Sequence, residues 1–315
     1  MRVGFHTNAF VWAGLNDIVT IARFASEAGF DFLEVGPSIR LDQNTFKQAA
    51  EFVDLDSFIY CRNFIDDTVE AAERETAELY RRIDFAGSIG AKRIICSTGI
   101  SGILSSLPSG GCNPLASLEK AADFVRKTLD KVTSYGMEVC IENCPMYRNI
   151  ATSPLMWRKL FELIPDKNLG LCYDASHFVW QMIDVYKPFE HFSTRIKHIH
   201  LKDTSLDLKK LDDVGILHNT GSERGFEENQ WWRHTIIGDG EIDWLRFLDL
   251  AASLPGGMPD LSFEMEDFHY EGTPENVRKG LELQLQRLRS LVVDSRVKAR
   301  NICIQRETTE NGGKE

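Results

Sequence analysis

Short apolar, β-branched runs alternate along this chain with longer segments whose apolar residues recur at helical spacing. Eight runs are predicted as strands: Val3–Asn8, Phe32–Val35, Ser57–Asn63, Arg93–Thr98, Glu138–Asn143, Leu169–Asp174, Ile196–Lys202 and Leu261–Glu266. Amphipathic helices fill the intervals. In Asn16–Ala28, for example, Ile18, Ile21, Ala22 and Ala25 share one stripe. The last helix is predicted to open at Thr273-Pro274-Glu275, with an N-cap, a proline at the first helical position and an early acid. It then carries Val277, Leu281, Leu285, Leu288 and Val292 at helical spacing. Gly29, Gly90 and Gly136 each close a helix just before a strand, where a left-handed cap suits glycine. This recurrence points to one repeated βα unit rather than to separate domains. The runs IICST and VCIEN are apolar without clean alternation, as expected of parallel strands covered on both faces. Eight such units in about 290 residues predict a closed (β/α)8 TIM barrel of ordinary size. An open doubly wound sheet is the alternative, but no GxGxxG follows the first strand to favour it. The expected organisation is a single barrel domain over 1–299 and a polar C-terminal tail over 300–315.

One connection breaks the rhythm. From Asp203 to Asp239 neither period is strong, yet the segment carries Asn219, Arg224, Trp231, Trp232, Arg233 and His234. Long irregular loops in compact domains are usually functional or disordered, and two adjacent tryptophans argue for function. Trp232 and Arg233 are therefore expected at a substrate site. The following GDGEIDW stretch is expected to be a turn feeding a helix that starts near Ile242, with Trp244 in packing.

Composition adds limits. With 315 residues, 43% hydrophobic and 26% charged, the chain reads as an ordinary globular protein. Its formal net charge of −11 argues against nucleic acid or an anionic membrane as partner, because phosphate binding needs a basic face. The seven cysteines are odd in number and scattered, with no CxxC, so free buried thiols are expected rather than a zinc knuckle or a redox pair. The N-terminus begins as a strand and lacks the basic and apolar stretches of a signal peptide, and no apolar run reaches membrane-spanning length. A cytoplasmic location is expected.

In a barrel, reactive groups come from the C-terminal ends of the strands and the loops that follow. The fifth strand ends in CIEN, presenting Glu142; the sixth in LCYDASH, presenting Asp174 and His177. The seventh, KHIHLKD, presents His198, His200, Lys202 and Asp203, and the eighth, LSFEMED, presents Glu264 and Glu266. An ionised carboxylate at the end of an apolar strand is costly unless it is paired or bound to metal. Four consecutive strands delivering such groups to one rim predict a hard, oxygen-rich metal site suited to Mn²⁺, Mg²⁺, Co²⁺ or Zn²⁺. His198 and His200 share a face, and His200 lies nearer the rim, which makes it the better ligand and leaves His198 as a core histidine. Lys202 and Asp203 could hold a substrate hydroxyl or phosphate, or pair with each other. His6, Asn8, Glu34, Arg62 and Asn63 end the first three strands and are pocket-lining candidates.

The segments IEN, CYDASH, HIHLKD, IIGDGEIDW and SFEMED together resemble the sugar phosphate isomerase/epimerase family of xylose isomerase-like barrels. That family includes ketose 3-epimerases, inosose isomerases and dehydratases, and hydroxypyruvate isomerases. The resemblance spans essentially the whole chain, from the VGFHTNA opening onward. It implies one divalent metal on Glu142, Asp174, His200 and Glu264, and substrate contact by His177. It favours Glu264 over Glu266 as the ligand from the eighth strand. It also implies proton transfer next to a carbonyl through an enediolate, with Glu142 and Glu264 acting from opposite sides of a carbohydrate or polyol. Isomerisation, epimerisation and an inosose dehydratase-like elimination share that machinery. The related zinc-dependent abasic-site endonucleases need further histidines after strands three and four. Here Arg62-Asn63 and Ser97-Thr98 stand there instead. Manganese and a role in carbohydrate metabolism are the expectations, and a homo-oligomer is compatible with the family.

Overall fold

The structure is a computed structural model that describes residues 1–102, 114–146, 148–216 and 230–311, with side chains described as far as Val293. Ten strands are found among these residues: β1 (Val3–His6), β2 (Phe32–Val35), β3 (Asp54–Ile59), β4 (Arg93–Cys96), β5 (Glu138–Glu142), β6 (Leu169–Asp174), β7 (Ile196–Leu201), β8 (Asp203–Leu206), β9 (Trp232–Thr235) and β10 (Asp260–Phe263). Eight of them pair in parallel and close into a barrel in the order β1-β10-β7-β6-β5-β4-β3-β2. All eight predicted barrel strands are present. The third is displaced toward the N-terminus, ending at Ile59. Tyr60, Cys61, Arg62 and Asn63 follow it as irregular chain at the barrel mouth.

Local signals account for the helices. Asp17 caps the helix Ile18–Ala28 by accepting from the Thr20 amide (3.1 Å), and Gly29 closes it at φ +84°. Ser153 and Pro154 start the helix Pro154–Leu163 in the same way. The terminal helix departs from expectation. It runs from Pro274 to Asn311 without a break, so its backbone continues through most of the stretch expected as a tail. No glycine or proline interrupts residues 281–311, and Arg, Glu and Gln there are good helix formers.

Apolar faces are shared between two cores. The larger lies between the strands and the helices that ring them, and includes Phe5, Phe58, Ile94, Val139, Tyr173, Ile199, Phe263 and Leu281. A smaller cluster of Ile59, Cys61, Ile95, Cys140 and Cys172 fills part of the barrel lumen. Because side chains alternate across a strand, the partners of the lumen residues one position away pack outward. The five described cysteines are free and buried, as expected.

The Asp203–Asp239 connection is more regular than the sequence suggests. β8 and β9 form an antiparallel hairpin, Asp203 opposite Thr235 and Leu206 opposite Trp232, and the helix Leu208–Val214 follows β8. Asn219 and Arg224 lie outside the described residues. The hairpin is held by a tertiary contact that no local period reveals. The buried Asp203 carboxylate accepts from the amides of Thr204 (2.8 Å), Gly238 (3.1 Å) and Ile242 (3.2 Å) and from Trp244 Nε1 (2.7 Å). That settles two expectations. GDGEIDW is indeed a turn into a helix, Trp244–Ala252, capped by Asp243, with Trp244 buried. Asp203 is neither a substrate group nor the partner of Lys202; it ties the turn to the end of β7. No helix among the described residues is long and apolar enough to cross a membrane.

Replacing Asp203 by alanine leaves four donors without this acceptor, three of them on buried residues, which should cost on the order of 3 kcal/mol. Thermal unfolding should then shift down by roughly 4–5 °C. A midpoint within about 1 °C of the unsubstituted protein would show that the tie is dispensable.

Candidate active site

The strand ends converge as parallel registry requires. Glu142 sits beside Cys172 and Asp174 beside His200, while Ser262 pairs with His200 and places Glu264 just beyond the end of β10. Glu142, Asp174, His177, His200 and Lys202 are buried at the mouth of the barrel, and Glu264 is nearly so. Above them opens a cavity of about 1830 Å³, lined by His6, Arg62, Glu142, His177, Lys202, Trp232, Arg233, Glu264 and Glu266 among others.

The geometry is one of negative charge gathered around few cations. His200 Nδ1 lies 3.1 Å from Glu142 Oε1 and 3.3 Å from Glu264 Oε2. Lys202 Nζ donates to Glu264 Oε2 at 2.6 Å and to Glu266 Oε2 at 3.0 Å. It also stands 3.1 Å from Asp174 Oδ2, which is ion-paired yet accepts no hydrogen bond of good geometry. The other Asp174 oxygen accepts from the Ser176 amide (2.8 Å) and hydroxyl (2.6 Å). His177 Nε2 completes the ring, 3.4 Å from Asp174 Oδ2 and 4.0 Å from Glu142 Oε1.

These contacts set the charge states. Burial works against the Lys202 ammonium, but Asp174, Glu264 and Glu266 outweigh it and raise its proton affinity well above the ordinary. Burial would also raise Glu264, yet Lys202 and His200 hold it well below the usual carboxylate range. Glu266 goes the other way: burial and the neighbouring Glu264 charge push it up against the pull of Lys202. Burial, then Lys202, lowers His177, so its imidazole stays neutral. Burial opposes a charge on His200 as well, but the Cys172 sulfur and the Glu34 and Glu264 carboxylates raise it well above its normal value.

The residues present fit a divalent cation. Ligand atoms of Glu142, Asp174, His177 and Glu264 lie within 4.8 Å of one another, an oxygen-rich set with one imidazole. His200 touches two of the three carboxylates from the other side. His177 and His200 therefore both border the position where a cation would neutralise the cluster, whereas the sequence had assigned only His200 to it. An under-bonded, fully buried Asp174 oxygen is what such a cluster shows when its counter-charge is incomplete.

Other expected residues are distributed as follows. His6 Nδ1 is 3.6 Å from Glu264 Oε1, and His6 and Asn8 both line the cavity. Arg62 lies over the Tyr60 ring (4.9 Å) with its side chain at the cavity. Trp232 stacks on Trp180 with centroids 4.6 Å apart and planes 5° apart, making a flat wall, and Arg233 covers Phe268 (5.1 Å). Asn63 is structural, bonded to Asp66 (2.8 Å) and to the backbone of Ile100. Sequence reasoning missed Cys61, whose thiol donates to Glu142 Oε2 (3.3 Å), and Cys144, which lines the cavity. Glu34, a pocket-lining candidate in the sequence, instead lies beneath the cavity bonded to both His198 and His200. The signal for Glu34 was present: a carboxylate inside the apolar run FLEV needs a partner.

The family model described as the xylose isomerase-like TIM barrel matches residues 22–290. The chain belongs to this family. An inosose dehydratase from Clostridium perfringens is 27% identical over 225 residues, covering 69% of this chain and 72% of the relative. Among solved structures, an L-ribulose 3-epimerase superposes with a TM-score of 0.67 at 17% identity, covering 96% of this chain and 97% of that one. The IOLI protein with a bound zinc atom superposes with a TM-score of 0.64 at 15% identity, over 94% and 98% of the two chains. At these identities the superpositions speak for the xylose isomerase-like fold alone.

Lys202 pairs with three acidic side chains at this barrel mouth. Lys202→Met should destabilise the metal-free protein by about 3–5 kcal/mol, the usual result of removing one side of a buried ion pair. Denaturant unfolding in the presence of a chelator is the measurement, and an unchanged midpoint would show that the carboxylates are neutralised by protonation instead.

Proposed function

We propose that this chain is a divalent-metal-dependent isomerase or epimerase that moves a proton next to a carbonyl group of a carbohydrate or polyol. One observation carries the reading. Glu142 and Glu264 end strands three steps apart in the ring, and both reach His200 Nδ1, at 3.1 and 3.3 Å. Two carboxylates so placed flank whatever occupies the space between them.

Glu142, Asp174, Glu264 and His200 are the residues that would hold the metal, although His177 is the imidazole whose ligand atom groups with the three carboxylates, while His200 stands beside Glu142 and Glu264. The zinc atom bound by the IOLI neighbour supports a metal in this fold. When bound, a divalent ion polarises the carbonyl and lowers the cost of negative charge on neighbouring oxygens. The remaining work falls to side chains. One glutamate takes the proton from carbon on one face, and the other delivers a proton on the opposite face. Lys202 keeps Glu264 ionised, and its ammonium faces the cavity as a donor to a substrate oxygen. The neutral His177 beside it offers a second polar contact. Trp232, backed by Trp180, provides a flat apolar wall against which a sugar's C–H face can lie.

A second reading has its own support: the matching inosose dehydratase covers 69% of the chain. Dehydration begins with the same proton removal, after which a hydroxide leaves the adjacent carbon and departs with a proton as water. The experiment that tests the proposal also separates the two. Ketoses, inososes and hydroxypyruvate are incubated with the Mn²⁺-loaded protein in D₂O. Deuterium should appear beside the carbonyl of at least one of them, stop on addition of chelator and resume with Mn²⁺. Exchange accompanied by an epimer or isomer supports the first reading, and a dehydrated product supports the second. Turnover that persists in chelator, with residual metal excluded by elemental analysis, would defeat both.

Glu142→Gln and Glu264→Gln preserve volume and should each cut turnover by about 10²–10⁴-fold. Bound metal is measured in each variant to separate lost base from lost ligand. One variant is expected to exchange deuterium without completing the product. If both keep metal and near-full turnover, the two-glutamate mechanism is wrong.

A further inference from the structure

Beneath the cavity, Glu34 is fully buried, lies outside the cavity lining and meets two histidines from across the barrel. Its Oε1 is 2.9 Å from His200 Nε2 and its Oε2 is 2.7 Å from His198 Nε2. We propose that Glu34 is a positioning residue for the metal site, holding one proton of His200 on Nε2 so that Nδ1, between Glu142 and Glu264, is the nitrogen that binds a cation. This rests on the metal-dependent reading above.

The argument is one of donor and acceptor inventory. A neutral imidazole has one N–H and one lone pair, and a carboxylate can only accept. A carboxylate 2.9 Å from Nε2 requires a hydrogen there, and Nδ1, which carries the second proton toward Glu142 in this structure, is the nitrogen left to give up its proton and donate an electron pair when a cation takes that place. Nδ1 is the nitrogen that lies 3.1 Å from Glu142 and 3.3 Å from Glu264, where a cation would sit.

The other arm of Glu34 explains why the carboxylate stays in place. His198 donates Nε2–H to Glu34, so its Nδ1 must accept, and the group facing Nδ1 is Arg93 Nη1 at 3.5 Å. Arg93 is anchored in turn by Asp260 Oδ2 at 2.8 Å and Ser57 Oγ at 3.1 Å. Every bond then has one consistent direction: Arg93 to His198, His198 to Glu34, and His200 to Glu34. A packing role alone gives no reason for a charged group here, since an apolar residue of similar volume avoids the desolvation. Carboxylates that fix a ligating histidine in this way typically matter 10–100-fold in metal affinity.

The test uses Mn²⁺ binding, by equilibrium dialysis, to the full chain and to Glu34→Gln and His200→Ala. The unsubstituted protein should bind one Mn²⁺, His200→Ala should bind far more weakly, and Glu34→Gln should lose about 10–100-fold. A Glu34→Gln variant that binds like the unsubstituted protein, while His200→Ala is impaired, overturns the positioning role and leaves the metal site standing. Wild-type affinity in His200→Ala, or no Mn²⁺ bound to the unsubstituted chain, overturns the metal reading and this inference with it. Should Glu34→Gln not fold, ¹⁵N-histidine NMR of the Zn²⁺-loaded unsubstituted protein decides. His200, assigned from its variant, should carry its proton on Nε2 and show a metal-shifted Nδ1. A proton on Nδ1 would refute the proposal.

Discussion

Burying a carboxylate without a counter-charge costs several kcal/mol, and this barrel ends four of its strands with one. Glu34, Glu142, Asp174 and Glu264 all turn toward the lumen within reach of a small set of cations and imidazoles. The arrangement is tolerable because Lys202 threads between three acidic side chains and His200 bridges three, with Glu264 common to both. Nearly everything else at the mouth follows from that balance. Asn143 locks the end of β6 through both its amide atoms, Ser176 satisfies one Asp174 oxygen, and the Asp203 clasp fixes the chain just after Lys202. The scaffold supplies rigidity so that like charges can be held close without spreading apart.

Much of this was legible in the sequence because barrel strands announce themselves twice, once by their apolar run and again by the polar residue that ends it. Glu142, Asp174, His200 and Glu264 could be read as one group on that basis, and their strand ends do converge. The β3 boundary was less legible. The run SFIYCRN stays apolar past the last ladder bond, so periodicity could not say that pairing stops at Ile59. The β8–β9 hairpin was missed for a different reason: its strands are four residues each and far apart in sequence. What holds them is Asp203 bonding a turn 35 to 41 residues away, a tertiary fact with no local signature.

The partner of Lys202 illustrates the same limit at the site itself. In sequence its neighbour is Asp203, and pairing between them is a natural reading. On a strand end, however, adjacent side chains point to opposite faces. Lys202 faces the lumen and the acids of β6 and β10, while Asp203 faces the turn before the helix Trp244–Ala252. Histidine shows it too. His198 and His200 were separable by depth, but the reason His198 is retained in the lumen, its bond to Glu34, requires knowing that β2 faces β7 across the ring.

The charge balance also favours the proposed proton transfer over nucleophilic chemistry. The thiols of Cys61 and Cys144 border the cavity, but burial first, then Glu142, raises both well above the ordinary range, so neither is a thiolate at neutral pH. Lys202 is held as an ammonium by its three acids and lacks the free pair that covalent attack needs. What remains unprotonated and positioned is carboxylate. Glu264 is kept ionised by Lys202 and His200, and Glu142 is oriented by His200 and the Cys61 thiol. A carboxylate is a modest base, so its usefulness depends on a carbon acid made more acidic by cation and hydrogen-bond donors close to the carbonyl. The same cluster that gathers positive charge around its carboxylates is the one that, in the proposed reaction, directs positive charge at a substrate's oxygens.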